Sequence, residues 1–327
     1  MARRAGLALL LSCALLSATG TPKAAPEKSD RPHPQSSASD APAQQPGLDP
    51  ARFGRRVDDA YGAYQRGLYK TAYNLALPRA QNGDPAAQVL LAELLARGLG
   101  VPLDARQAAK WYEAAAERGV PEAQFQYALM LLDGNFVPQD KKQAYALMQA
   151  AAEAGNALAQ FNFAQLLVKE NPEDLSLAVD YYERAAEAGV ADAQYALAQI
   201  YANGVGGRQQ DDIKAREWLE KAARQNFDTA QLDLAQWFIE GRGGARDYKQ
   251  GFSWMQLAAN GGNVAAQNRL AKLYVAALGT DPDPVLAAAW YIVARRAGLI
   301  DPEMEGYLEG LTKEELQQSV QRANRLP

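Results

Sequence analysis

The stretch Ala193-Gln194-Tyr195-Ala196-Leu197-Ala198 decides how this chain is read, because its skeleton returns along the sequence. The Ala-Gln pair also stands at Ala87-Gln88, Ala123-Gln124, Ala159-Gln160, Ala230-Gln231 and Ala266-Gln267, so the six copies are 36, 36, 34, 37 and 36 residues apart. Five residues after each of these alanines comes another: Ala92, Ala128, Ala164, Ala198, Ala235 and Ala271. Just before it stands a large apolar side chain: Leu91, Tyr127, Phe163, Leu197, Leu234 or Leu270. A period in the thirties built from helix formers marks an α-solenoid, whose units bury their apolar faces only by stacking.

Each unit reads as two helices. Helix A opens around the Ala-Gln pair, with caps at Asp84-Pro85, Asn156 and Asn263. It ends about eleven residues on at Gly98, Gly134, Gly204 or Gly241, where a left-handed turn needs a residue without Cβ. Helix B carries a small-residue register at Ala72, Ala108, Ala144, Ala178, Ala215, Gly251 and Ala287. Three residues later come Leu75, Trp111, Leu147, Tyr181, Trp218, Trp254 and Trp290, then closing pairs such as Ala151-Ala152 and Ala222-Ala223. Small residues let helices approach to about 8–10 Å while the aromatics fill the seam. Trp111, Trp218, Trp254 and Trp290 therefore read as core, as does Trp237 on helix A. Two units depart from the plan: one has Glu170 in place of the loop glycine, and the last has Ala277 with its turn expected later, at Gly279-Thr280-Asp281-Pro282. A divergent first pair is expected over Val57–Arg66 and Tyr69–Gln81, and a C-terminal cap over 299–327. In that cap Thr312 and Glu315 form a capping box for a helix near 313–324, after a short one near 302–309.

Ahead of the repeats, residues 1–20 read as a secretory signal: Arg3-Arg4, an apolar run from Gly6 to Ala18, and small residues at Ala18-Thr19-Gly20. Cleavage is placed after Gly20, giving a periplasmic or secreted protein; a lipoprotein anchored at Cys13 is the alternative. The run is too short to span a bilayer, so no integral span is expected once the signal is removed. Residues 21–53 are rich in Pro, Ala, Ser and Gln and read as a disordered linker, containing the incidental His33.

Composition narrows the chemistry. The net charge is -4, and removing Arg3 and Arg4 with the signal leaves about -6 with no Lys/Arg cluster, which argues against a nucleic-acid partner. Cys13 and His33 are the only residues of their types, so residues 54–327 hold no disulfide, no Cys/His metal site and no Ser-His or Cys-His pair. The carboxylate pairs Glu173-Asp174 and Asp211-Asp212 are loop neighbours, not groups held across a cleft. The glycine runs at 204–207 and 241–244 lie between helices, so they are turns and not phosphate loops. No cofactor or metal is expected, and the chain is not read as an enzyme.

The motifs resemble Sel1-like repeats, bacterial relatives of the tetratricopeptide repeat. They are carried most clearly by Ala193-Gln194, Leu197-Ala198, Tyr201, Gly204-Val205-Gly206, Lys214-Ala215, Trp218-Leu219 and Lys221-Ala222-Ala223. The resemblance covers about residues 55–298, though that family usually has Leu-Gly where this chain places alanine in all six units. It implies an all-α, right-handed superhelical α-solenoid, here of about seven helix-turn-helix repeats over 54–298. It also implies that helix A lines the concave groove. On helix A the third, sixth and tenth residues after the register alanine share one face. The groove candidates there are Gln126, Asn162, Gln165, Gln199, Asn203, Asp233, Gln236, Arg269 and Lys272. Six copies of the register glutamine fit a structural hydrogen bond near the helix start better than six binding sites. By resemblance the chain is a non-enzymatic scaffold for a protein or peptide partner in the cell envelope, and sharper versions regulate signalling or exopolysaccharide production. The alternative is a cell-wall-associated hydrolase or glycan-binding protein; family members that bind or cleave penicillin form a cysteine-rich branch that this chain does not match. Sequencing of the mature N-terminus is expected to begin at Thr21, and a lipid on Cys13 would instead mark an anchored chain.

Overall fold

The computed structural model describes residues 58–327, in two compact units, 58–118 and 119–327. The expected signal peptide, the linker, Cys13, His33 and Val57 lie outside the described residues. Among the described residues there are sixteen α-helices and no strand. The first unit holds α1 (Asp59–Gln65), α2 (Tyr69–Gln81), α3 (Pro85–Arg97) and α4 (Ala105–Ala116). The second holds α5 (Pro121–Asp133), α6 (Lys141–Glu153), α7 (Ala157–Glu170), α8 (Leu175–Glu187), α9 (Ala191–Asn203) and α10 (Asp212–Arg224). It continues with α11 (Asp228–Glu240), α12 (Tyr248–Asn260), α13 (Val264–Val275), α14 (Pro284–Arg296), α15 (Pro302–Glu309) and α16 (Lys313–Ala323). Within each unit every helix packs on the next in sequence, up to α14, which packs mainly on α16. No helix among the described residues is long and apolar enough to cross a membrane.

Local chemistry sets these boundaries. Helix B starts at an aspartate: Asp104, Asp140, Asp247 and Asp283 each accept the N–H of the third residue on, at 2.8–2.9 Å for Gln107, Gln143 and Leu286 and 3.0 Å for Gln250. Helix A starts two residues before its Ala-Gln pair and in four units ends at the left-handed glycines Gly98, Gly134, Gly204 and Gly241. In the last repeat the left-handed residue is Ala277 itself, with φ 52°, so the turn begins there and not at Gly279. The unit with Glu170 uses a 3-10 turn at Pro172–Asp174 capped by Asn171.

The core follows the registers, with one correction. Leu91, Phe163, Leu197, Leu234 and Leu270 are almost wholly buried. Trp237 and Trp290 are buried too, but Trp111, Trp218 and Trp254 are only half-buried. Their position lies at the rim of the helix-B seam, where Leu75 is also exposed. Trp218 keeps one ring face for the Lys221 ammonium, 3.6 Å from the ring centroid. The small-residue register is sterically strict: a Cβ on Gly251 would sit 2.6 Å from Ile239 Cγ1.

A second set of glycines fixes the stacking of repeats. Two residues past the helix-A cap, Gly100 packs on the start of the preceding helix B, where a Cβ would lie 2.6 Å from Lys70 N. Gly243 does the same against α10, where a methyl would run into the Asp212 carbonyl.

At the C-terminus the cap is locked by Asp301. Its carboxylate accepts the N–H groups of Glu303 and Met304 at the head of α15, and also meets Lys272 Nζ and Asn268 Nδ2 on α13, each at 2.8 Å. The Lys272 hydrogen bond, followed by that of Asn268, holds the carboxyl pKa down at about 2. Tyr291 on α14 ties the other side, its hydroxyl contacting the Asp301 backbone and the Glu305 carboxylate. Thr312 and Glu315 form the capping box of α16.

Two outcomes follow. Gly262 has φ +91° and nothing within 4 Å of the place an added methyl would take, so Gly262→Ala bears only the left-handed penalty of about 1–2 kcal/mol. Gly243→Ala adds a backbone collision and should cost about 3 kcal/mol or more; equal losses in urea denaturation would refute the stacking role. Asp301→Asn keeps the cap and removes the charge. A carboxyl with a depressed folded pKa stabilises fully above its unfolded value near 4, and that contribution is lost as pH falls toward about 2. The variant should therefore be about 1 kcal/mol less stable at neutral pH, allowing for solvent screening. The gap should close by about pH 2, and a pH-independent gap would rule out the ionic lock.

Candidate functional site

The register glutamines are structural. Gln88, Gln160, Gln194, Gln231 and Gln267 each donate Nε2 to the carbonyl of the alanine eight residues earlier, at 3.0–3.3 Å for Ala223 and Ala259 and between these for the others. That alanine lies in the last turn of the preceding helix B, where its carbonyl also accepts the N–H of the left-handed residue three positions on, so the glutamine is a second donor that ties helix A to the end of helix B. These amides are buried.

The variable face of helix A in the unit 119–327 is polar and open to different degrees. Gln126, Gln165, Gln199, Asp233, Gln236 and Lys272 are half-buried, while Asn203 and Arg269 are exposed. Asn162 does not share this face as expected: it is 8% exposed, with Nδ2 turned back onto the Leu158 carbonyl of its own helix at 2.8 Å. An asparagine amide is short enough to reach the carbonyl four residues back, and here it does. Asn203 likewise bonds the Gln199 carbonyl at 2.8 Å but stays exposed. Gln236 donates to Glu240 at 2.6 Å, and Lys272 is drawn to Asp301 and Glu303.

Three successive A helices meet around Asp233. On α11, one carboxylate oxygen of Asp233 accepts the Tyr195 hydroxyl at 2.9 Å and the Gln199 amide at 3.3 Å, both from α9. Arg269 of α13 is near enough for its charge to act on Asp233, yet it forms no ion pair among the described residues. Burial raises the Asp233 pKa, outweighing the Tyr195 hydrogen bond, the Arg269 charge and the Gln199 amide, which pull it down. Arg242, also felt by Asp233, lies 4.0 Å over the Trp237 ring and bonds Ala202 O at 3.0 Å and Asp212 at 2.8 Å. Gln199, Asp233 and Arg269 are thus brought together as one patch, with Gln236 one turn along α11. Tyr195 is not among the sequence candidates. It stands two residues after its register alanine, a position that holds Phe125, Phe161, Leu232 and Asn268 in other units and mixes core with groove edge.

Chemically the patch offers a phenol, amides, one carboxylate and one guanidinium: donors and acceptors for a partner's polar groups. No group of three or more His, Cys, Asp or Glu side chains among the described residues is placed to hold a metal ion.

Comparison with known proteins accords with this architecture. The Sel1 repeat family model matches residues 85–120, 121–156, 157–190, 191–227, 229–263 and 264–299. The crystal structure of a Sel1 repeat protein from Oxalobacter formigenes is similar at 27% identity, with a TM-score of 0.63, covering 75% of this chain and 100% of that one. A protective antigen from uropathogenic Escherichia coli strains, displaying an SLR fold, is similar at 27% identity and a TM-score of 0.53, covering 79% of this chain and 64% of that one. No curated protein matches. Sel1 repeats generally serve as non-catalytic scaffolds for protein–protein interaction. With six consecutive matches over more than half its length, the chain belongs to the Sel1 repeat family.

Proposed function

We propose that this protein is a periplasmic or secreted scaffold that holds a protein or peptide partner of the cell envelope along the A-helix face of residues 119–327. Its sharper role is as an adaptor or regulator in an envelope signalling or exopolysaccharide system. One observation carries the reading. The side chains that repeat are consumed by the fold, whereas those on this face change from unit to unit and gather at Tyr195, Gln199, Asp233 and Arg269. An extended partner meets each unit with a different part of itself, so it calls for such variation. The apolar run before Ala18-Thr19-Gly20 supports export, and the similarity to a protective antigen is in keeping with it. The absence of Cys and His from residues 54–327 supports binding over the commonest nucleophile and base chemistry.

The test places two charges on the face without touching the clamps. Gln199→Lys with Gln236→Lys should leave helicity and melting within the small range of surface substitutions, about 0.5 kcal/mol. Capture of the envelope partner from cross-linked cells should fall about tenfold or more. Equal recovery by wild type and variant would overturn the reading. So would reproducible turnover of a glycan, ester or β-lactam abolished by a single carboxylate substitution, which would favour an enzyme.

A further inference from the structure

The A-helix face ends in a hollow of about 340 Å³ between α13 and the cap helix α15. Leu273, Val275, Ala276 and Leu278 line one side, Met304 and Tyr307 the other, with Lys272 and Glu303 at its edge. Its origin is a mismatch in length. The contacts of α15 with α13 mirror those between successive A helices: Asn268 reaches Asp301 as Tyr195 reaches Asp233, each donor standing two residues after its register alanine. Yet α15 has eight residues where α11 has thirteen. At 1.5 Å per residue it is about 7 Å short, so the last turn of α13 has no facing helix and Val275 is left 40% exposed.

Charge is disposed unequally beside this hollow. The Lys272 ammonium is already engaged, 2.8 Å from Asp301 and 2.6 Å from Glu303. Arg269, one turn earlier on the same helix, is exposed and has no ion pair or side-chain hydrogen bond among the described residues. Its planar fork of donors is therefore open one helical turn before the residues that line the hollow, and matches a carboxylate presented in two-point fashion.

We propose that this end of the face is an anchoring subsite for an extended peptide segment of the partner, one that carries a large apolar side chain two residues from an Asp or Glu. The apolar group fills the hollow and the carboxylate takes Arg269. The spacing comes from geometry: alternate residues of an extended strand point the same way and lie about 6.5 Å apart, close to the roughly 5.4 Å helical turn that separates Arg269 from the hollow's rim on α13. An isolated apolar molecule would satisfy the hollow but leave Arg269 unused. The subsite rests on the scaffold reading above and gives that reading a recognisable partner sequence.

The experiment pans the full chain against a library of random peptides roughly a dozen residues long. Retained peptides should be enriched about tenfold in an acid two residues from Leu, Met, Phe or Trp. Arg269→Glu should exchange the acid preference for Lys or Arg and leave the apolar preference in place. Val275→Trp, or the milder Ala276→Leu, should fill the hollow and abolish the apolar preference while keeping the acid, with unchanged melting confirming the fold. Retained peptides that are lost on Gln199→Lys with Gln236→Lys but show neither preference would overturn the subsite and leave the scaffold standing. Peptides insensitive to every one of these substitutions would overturn both, as would self-association of the chain abolished by the hollow-filling variants in place of peptide binding.

Discussion

One hydrogen bond organises the stacking: the amide of a helix-A glutamine on the last alanine carbonyl of the helix B before it. Donor and acceptor are eight residues apart in each case, although the repeats themselves are 34 to 37 residues apart. Length variation is thus confined to the loop between helices A and B, while the junction between repeats does not change. Each such bond contributes only about 1 kcal/mol, but its geometric demands are large. The amide must be buried, the alanine must be small enough to let helix A approach, and the chain must reverse through a left-handed residue. Glycine meets that last demand at most junctions, and Asn226, with φ 63°, meets it at one. The clamp has more than one form: at Gln194 the amide oxygen accepts Gln225 Nε2 at 2.8 Å, whereas the corresponding oxygens of Gln88 and Gln267 have no partner.

This division of labour explains why so much of the fold is legible in residues read alone. Alanine pairs, loop glycines and the Thr312/Glu315 box each have a single physical use, and they recur in step. The aspartates that start helix B are equally readable, at Asp104, Asp140, Asp211, Asp247 and Asp283, but stand outside the Ala-Gln register that draws the eye. The tryptophans are harder. A register says that a position faces a neighbouring helix, not how far inside the seam it lies, and Trp218 and Trp290 share a register with different burial.

The candidate face is legible to the same depth. Helical periodicity puts Gln199, Asp233 and Arg269 on one side, and the structure brings them to one patch. It does not say when a side chain turns back on its own helix, which removes Asn162, nor when a neighbour from another register leans in, which adds Tyr195. Asp301 is hidden for a related reason: it stands where a further helix A would begin, but in a cap that has left the repeat and keeps only its packing site.

The way charge is spent along the face bears on how a partner would be held. Glu240 is engaged by Gln236 and Lys272 by the cap, and Asp233 is half-buried beneath a phenol and an amide, with its pKa raised by that burial. Between these charges the face is lined by amides, Gln126, Gln165, Gln199, Asn203 and Gln236, while Asp133, Lys169 and Arg269 are exposed charges on it. Charges of both signs are interspersed there, Asp133, Asp233 and Glu240 against Lys169, Arg269 and Lys272, so long-range steering of a partner would be weak. Selectivity would come from short-range matching of amide donors and acceptors, where an unmatched buried group costs more than a matched one gains. Amides hydrogen-bond a peptide backbone as readily as a side chain. On the scaffold reading proposed above, a face lined by them suits an extended partner held at many points, with identity read chiefly where a charge or a cavity breaks the amide run.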